Sequence, residues 1–179
     1  MAKKNHERAS LPNNYTSWQT AILVALRVFI GWHFLYEGLV KLLNPYWSAA
    51  GYLVESRWIF SSIFRAIVAS PALLSVVDFV NVWGLILIGL GLMLGACTRI
   101  ATLAGMVLLA LYYLSNPPFY GYTYSMPSEG SYIIINKNLI EFLALWVLYL
   151  FPTGHLIGLD RFLLRIKDKL MKRKPEVSR

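Results

Sequence analysis

Trp18–Leu43, WQTAILVALRVFIGWHFLYEGLVKLL, is long enough and apolar enough to cross a bilayer. As a helix it spans roughly 39 Å, against a hydrocarbon core of about 30 Å. Four ionisable residues interrupt it, Arg27, His33, Glu37 and Lys41. His33, Glu37 and Lys41 recur at i, i+4, i+8 and share one helical face; Arg27 falls at the edge of that face, toward the other end. Each such charge costs roughly 2.5–3.5 kcal/mol near the centre of a spanning helix. A chain that keeps them on one stripe must pair them inside a bundle or hydrate them in a cavity. Two readings stay open: a polar site or proton path, and a buried ion-pair network that holds helices in register.

The rest of the composition agrees with a membrane setting. Of 179 residues, 57% are hydrophobic and 15% charged, and the mean hydropathy is +0.52. The net charge of +8 sits largely in the two tails, as in juxtamembrane segments on a cytoplasmic face, which argues against nucleic acid as a partner. The one cysteine, Cys97, excludes an internal disulfide or a CxxC pair; beside Gly95 and Ala96 it reads as a small packing residue. The first apolar run lacks a small-x-small cleavage site and reads as a retained signal anchor.

The chain divides into a polar cytoplasmic tail (1–17), a membrane domain (18–156) and a basic cytoplasmic segment (157–179). Spans are expected at about 18–43, 72–96, 100–115 and 133–152. Asn44-Pro45, Asn116-Pro117-Pro118 and Phe151-Pro152 end three of them, since proline bars the residue before it from the helix. Segment 49–70 carries an apolar face (Leu53, Phe60, Ile63, Phe64, Ile67) against Glu55, Arg57 and Arg65, and reads as an interfacial amphipathic helix. Gly91 and Gly95 form a GxxxG pair suited to close helix packing, and Thr98-Arg99 forms a tight turn. The tyrosine-rich loop 119–132 reads as an interfacial belt or a lid. From Gly158 to Lys174 an apolar face alternates with Arg161, Arg165, Lys167, Lys169, Lys172 and Arg173, a basic amphipathic helix on an anionic surface. Lysine and arginine bias places both termini in the cytoplasm, with only Arg57, Arg65 and Lys137 outside. The fold class is thus an all-α membrane protein, a four-transmembrane-helix bundle with an outer interfacial helix and a basic C-terminal helix.

Counting rise along the expected spans puts Glu37, Asp78 and Glu141 in one layer, roughly 8–12 Å below the outer boundary. His33 lies one turn deeper. Lys41, Asn81, Asn136 and Lys137 are within reach. Carboxylates and a histidine in apolar surroundings suit proton transfer; the near-balance of charge suits a structural network equally. Paired haem ligands, metal-ligand spacing, phosphate-binding glycine loops and Ser-His-Asp arrangements are lacking. A quinone or another small amphiphile fits a pocket edged by Trp32, Tyr36, Trp83 and Glu37.

Arg27…Gly31…Glu37-Gly38…Lys41-Leu42, Gly84…Gly91…Gly95…Thr98-Arg99, Asn136-Lys137-Asn138…Glu141 and Gly154…Gly158-Leu159-Asp160, in this order, resemble the DoxX family of small bacterial membrane proteins, related to the DoxD subunit of thiosulfate:quinone oxidoreductase. Asn81 departs from the resemblance, standing where many members carry a glutamate; Asp78, one turn earlier, could substitute. The resemblance implies a multi-pass protein of the bacterial inner membrane and, for some members, a role near quinone-linked sulfur oxidation. On this reading Glu37, His33, Glu141 and Asp78 form the catalytic set. Arg27, Lys41, Asn81, Trp32, Tyr36, Trp83, Asn136 and Lys137 bind substrate or quinone. The redox centre would come from a partner oxidoreductase subunit. Two alternatives stand beside it: a non-catalytic membrane subunit whose buried charges are structural, and a homo-oligomeric transporter of a small anion or protons.

Overall fold

The computed structural model of the chain describes residues 15–125, 133–162 and 166. Six helices follow in order: α1 (Ser17–Leu43), α2 (Ala50–Val54), α3 (Ser61–Ala69), α4 (Pro71–Leu94), α5 (Thr98–Ser115) and α6 (Lys137–Leu150). Three of them, α1, α4 and α5, are long and apolar enough to cross a membrane. No more than a third of their most apolar windows is buried within the chain, so the outward-facing side chains are apolar and require an apolar solvent. The polar N-terminal tail, part of the tyrosine-rich loop and most of the basic C-terminal segment lie outside the described residues.

The ends of α1 are chemically defined. Thr16 and Gln19 form a reciprocal capping box, with Gln19 N donating to Thr16 Oγ1 (3.3 Å) and Thr16 N donating to Gln19 Oε1 (2.9 Å). Asn44 closes the other end, immediately before Pro45. The buried stripe of α1 is Arg27, Ile30, Gly31, Phe34 and Gly38, at alternating spacings of three and four. It packs on α4, which packs on α5; α5 packs on α6, and α6 returns to α1. Ile30, Phe34, Leu85, Ile88, Leu92, Ala101, Leu109, Leu145 and Leu148 form the shared core.

The α1–α4 crossing depends on missing side chains. A Cβ at Gly89 would stand 2.5 Å from Leu35 N and 2.7 Å from Gly31 O, and one at Gly31 would stand 2.9 Å from Gly89 O. Backbone therefore lies on backbone at this point. The expected GxxxG pair works differently. Gly95 does not sit in a helix interface but ends α4, at φ 65°. It belongs to a Schellman arrangement, with Ala96 N donating to Gly91 O (2.9 Å) and Gly95 N to Leu92 O (3.3 Å). The turn into α5 is consequently Gly95–Cys97, and Thr98 and Arg99 are already helical. Cys97 is exposed, with φ 49°, and is not a packing residue.

Segment 49–70 is not one helix. Asn116 Nδ2 donates to Tyr52 O (3.1 Å), which occupies a carbonyl that a continuing α2 would need. Edge-on stacking of Trp58 on Phe119, 5.2 Å between centroids, holds the break that follows. The helix expected over 133–152 begins only at Lys137, because Asn136 turns its side chain back to cap Leu139 N (3.1 Å). At 14 residues, α6 is about 21 Å long.

Candidate functional site

One face of the helix assembly encloses a cavity of about 890 Å³. Its polar wall is built first from α1, where His33, Glu37 and Lys41 stack one turn apart, as their spacing requires. The Lys41 ammonium lies 3.3 Å from Glu37 Oε2. It also lies over the rings of Trp47 (5.5 Å) and Tyr112 (5.7 Å), so aromatic faces replace part of the water it has lost. From α6, Glu141 Oε1 reaches His33 Nδ1 at 2.8 Å. Glu141 is the deeper partner, its side chain 12% exposed against 44% for His33. The pair joins two helices across the cavity wall.

A second layer orders the aromatic wall. Asn81 Nδ2 donates to the Tyr112 hydroxyl (2.8 Å), and the Tyr52 hydroxyl donates to Tyr112 O (2.9 Å). Burial pushes the Tyr52 phenol well above its ordinary pKa, so it remains a donor. Burial also raises the Tyr124 phenol, which donates to Pro117 O at 2.8 Å. The remaining walls are apolar: Ile63, Phe64 and Ile67 from α3, Val76, Val77 and Val80 from α4, Leu108 and Leu111 from α5. Charged groups at one side and hydrocarbon at the other make an amphiphile the complementary occupant.

Not every residue singled out in the sequence reaches this cavity. Glu37, His33, Glu141, Lys41, Asn81, Asn136 and Lys137 line it. Asp78 does not: its Oδ1 accepts from Ala49 N (2.8 Å), fixing the start of α2 to α4. Trp32, Tyr36 and Trp83 point away from it and are 55%, 55% and 42% exposed, so of the aromatic pocket expected beside Glu37 only Glu37 itself remains. Trp47, Tyr52, Tyr112 and Tyr124 supply the aromatic lining instead. They come from α5 and from loops or short helices, where periodicity carries no signal.

Arg27 belongs to a different network, nearer the middle of α1 and about 21 Å along the helix from Lys41. It is 2% exposed. Its guanidinium donates to Thr153 Oγ1 (3.1 Å) and Ile157 O (2.7 Å), and the charge of Asp160 acts on it. Asp160 in turn accepts from Cys97 N (2.6 Å), Thr98 N (3.0 Å) and Thr98 Oγ1 (2.6 Å), while its own N–H donates to Gly95 O (2.9 Å). This latch joins α1, the α4–α5 turn and the segment after α6. A carboxylate at the first turn of α5 also meets the positive end of the helix dipole.

Among the described residues, no three His, Cys, Asp or Glu side chains gather as a metal site would require. Compared with protein-family models, with curated proteins and with solved structures, the chain matches none.

Proposed function

We propose that this chain is a DoxX-like protein of the bacterial inner membrane, crossing it four times, and that the cavity binds a quinone in association with a partner oxidoreductase. The fourth crossing is α6, extended by its flanking residues. Both termini face the cytoplasm by the lysine and arginine bias. The observation that carries the functional reading is the convergence of two acid–base pairs, His33–Glu141 and Glu37–Lys41, on one cavity whose other walls are hydrocarbon.

A bound quinone supplies the acceptor for two electrons, which the partner subunit delivers, and two protons. The chain's own residues manage the protons and the orientation. The His33–Glu141 pair would hold one of these protons at the wall and pass it across a hydrogen bond, regaining it from water afterwards. The Lys41 ammonium, held by Glu37 and two aromatic faces, would supply the second to a ring oxygen and regain it in the same way. Tyr112, positioned by Asn81, would offer the ring a flat aromatic surface.

Gentle purification from the native membrane, followed by lipid-extract mass spectrometry, tests the reading. Near-stoichiometric quinone that is lost in Glu141→Gln and His33→Ala supports it. A quinone-free wild type, with variants that lose only thermal stability, refutes it and favours the non-catalytic subunit.

A further inference from the structure

The cavity has two boundaries of different character. Toward the end where α5 gives way to residues 116–125, polar bonds and stacked rings close it. Tyr124 Oη donates to Pro117 O, Ser125 N donates to Glu55 Oε2 (3.0 Å), Asn116 Nδ2 donates to Tyr52 O, and Phe119 stacks on Trp58. Beside apolar side chains of α4 and α5, the boundary toward the side is α3. This nine-residue helix has no buried residue and packs chiefly on α2 and α4. Its side-chain hydrogen bonds are internal, from Arg65 to Ser61.

The residues along that side both line the cavity and face outward. Ile63 of α3 is 56% exposed, Val76 and Val80 of α4 59% each, and Leu111 of α5 48%. A residue can do both only where the wall is one side chain thick. On the outside of a membrane-spanning assembly such a wall meets lipid. It is held by dispersion between hydrocarbon groups, which lipid tails replace at almost no cost; opening the other boundary breaks hydrogen bonds.

We infer that the ligand enters and leaves sideways from the bilayer, through the slot that α3 covers between α4 and α5, and that its hydrocarbon tail remains in this slot while its head lies among His33, Lys41 and Glu141. The inference rests on the reading of the cavity as a quinone site and specifies the ligand class further. The occupant is a single-tailed amphiphile with a hydrogen-bonding ring as its head, and the tail contributes to affinity.

The test uses two probes on the full chain in phosphatidylcholine vesicles: a decyl-benzoquinone with a diazirine at the tail terminus, and a tailless methyl-benzoquinone. Photolabelling by the first is expected in residues 61–69 and 76–80, or at Leu111, and to be displaced by unlabelled decyl-benzoquinone. Val80→Trp fills the slot from α4 and Ile63→Trp fills it from α3; both positions are exposed enough to take the larger ring. Each puts its indole where the tail lies, and the steric conflict should weaken the decyl probe about tenfold while leaving the tailless probe within about twofold. Labelling of 119–125, or equal weakening of both probes, overturns the lateral route while leaving the quinone reading standing. Saturable binding of neither probe overturns both.

Discussion

Asp160→Ala isolates the latch from the cavity. The aspartate caps a helix that begins more than sixty residues earlier in the chain, accepting from two backbone N–H groups and the Thr98 hydroxyl. Losing a side-chain cap costs about 1 kcal/mol, and losing the negative charge at the helix start costs a further ~0.5 kcal/mol. Thr98 is 2% exposed, so its hydroxyl is left without its acceptor at about 1–3 kcal/mol. Together these give about 3 kcal/mol. For a chain of this size that lowers the melting temperature by roughly 6–12 °C. Asp160→Asn keeps an acceptor oxygen and loses the charge, so its melting point falls between. The assay is thermal unfolding in detergent followed by far-ultraviolet circular dichroism, with Arg161→Ala, an exposed neighbour, as control. Quinone binding should survive in the folded variant, because α5 places the latch about 26 Å from the residue that ends it at the cavity, Ser115. An Asp160→Ala protein that melts with the wild type would refute the capping argument.

Gly89→Ala should destabilise by about 2 kcal/mol or more, since the added methyl meets the backbone of α1 and the helices must part; Gly84→Ala, whose new methyl meets open space, should be neutral or stabilising by about 0.5 kcal/mol. Both are read by the same melting assay. Because burial raises the Tyr52 pKa in the folded state, its contribution is full below the unfolded value of about 10 and is lost as pH rises beyond that toward the folded value. The melting point should therefore fall steeply above that pH, and Tyr52→Phe should flatten the fall. Cys97, the one thiol in the sequence and exposed, should react with an impermeant maleimide in inverted inner-membrane vesicles and not in intact spheroplasts; the reverse pattern refutes the proposed orientation.

The sequence made the long helices and the chemistry of one face legible, because both are periodic. Asn44-Pro45 ended α1 where expected, and the four-residue spacing of His33, Glu37 and Lys41 brought them to one cavity. Trp32 and Tyr36 illustrate what periodicity alone does not assign. Each precedes a cavity residue by one position, hence by about 100° of rotation, and in a membrane helix an outward face is as apolar as an inward one. Depth was a similar guide for Asp78: it lies near the right level, but a free N–H at Ala49 claims its carboxylate. That partner, like Asn116 for Tyr52 and Asp160 for Thr98, is a long-range choice made by loops. For the same reason the aromatic wall and the break between α2 and α3 had no local signal. The motifs quoted from the sequence combine residues of two separate networks, since Arg27, Thr98 and Asp160 meet at the latch and Glu37, Lys41 and Glu141 meet at the cavity.

Between those networks stand Ile30, Phe34, Ile88, Leu92, Leu145 and Leu148, all buried in one cluster. Such a layer is an insulator. Among the described residues no chain of hydrogen-bonding side chains crosses this layer toward Arg27, so a proton that Glu141 passes to a bound quinone would be replaced from the cavity's own side of the membrane. Turnover at the site, as proposed, would then draw its protons from one side of the membrane alone, and the side from which the partner delivers electrons would decide whether the reaction moves charge across the bilayer.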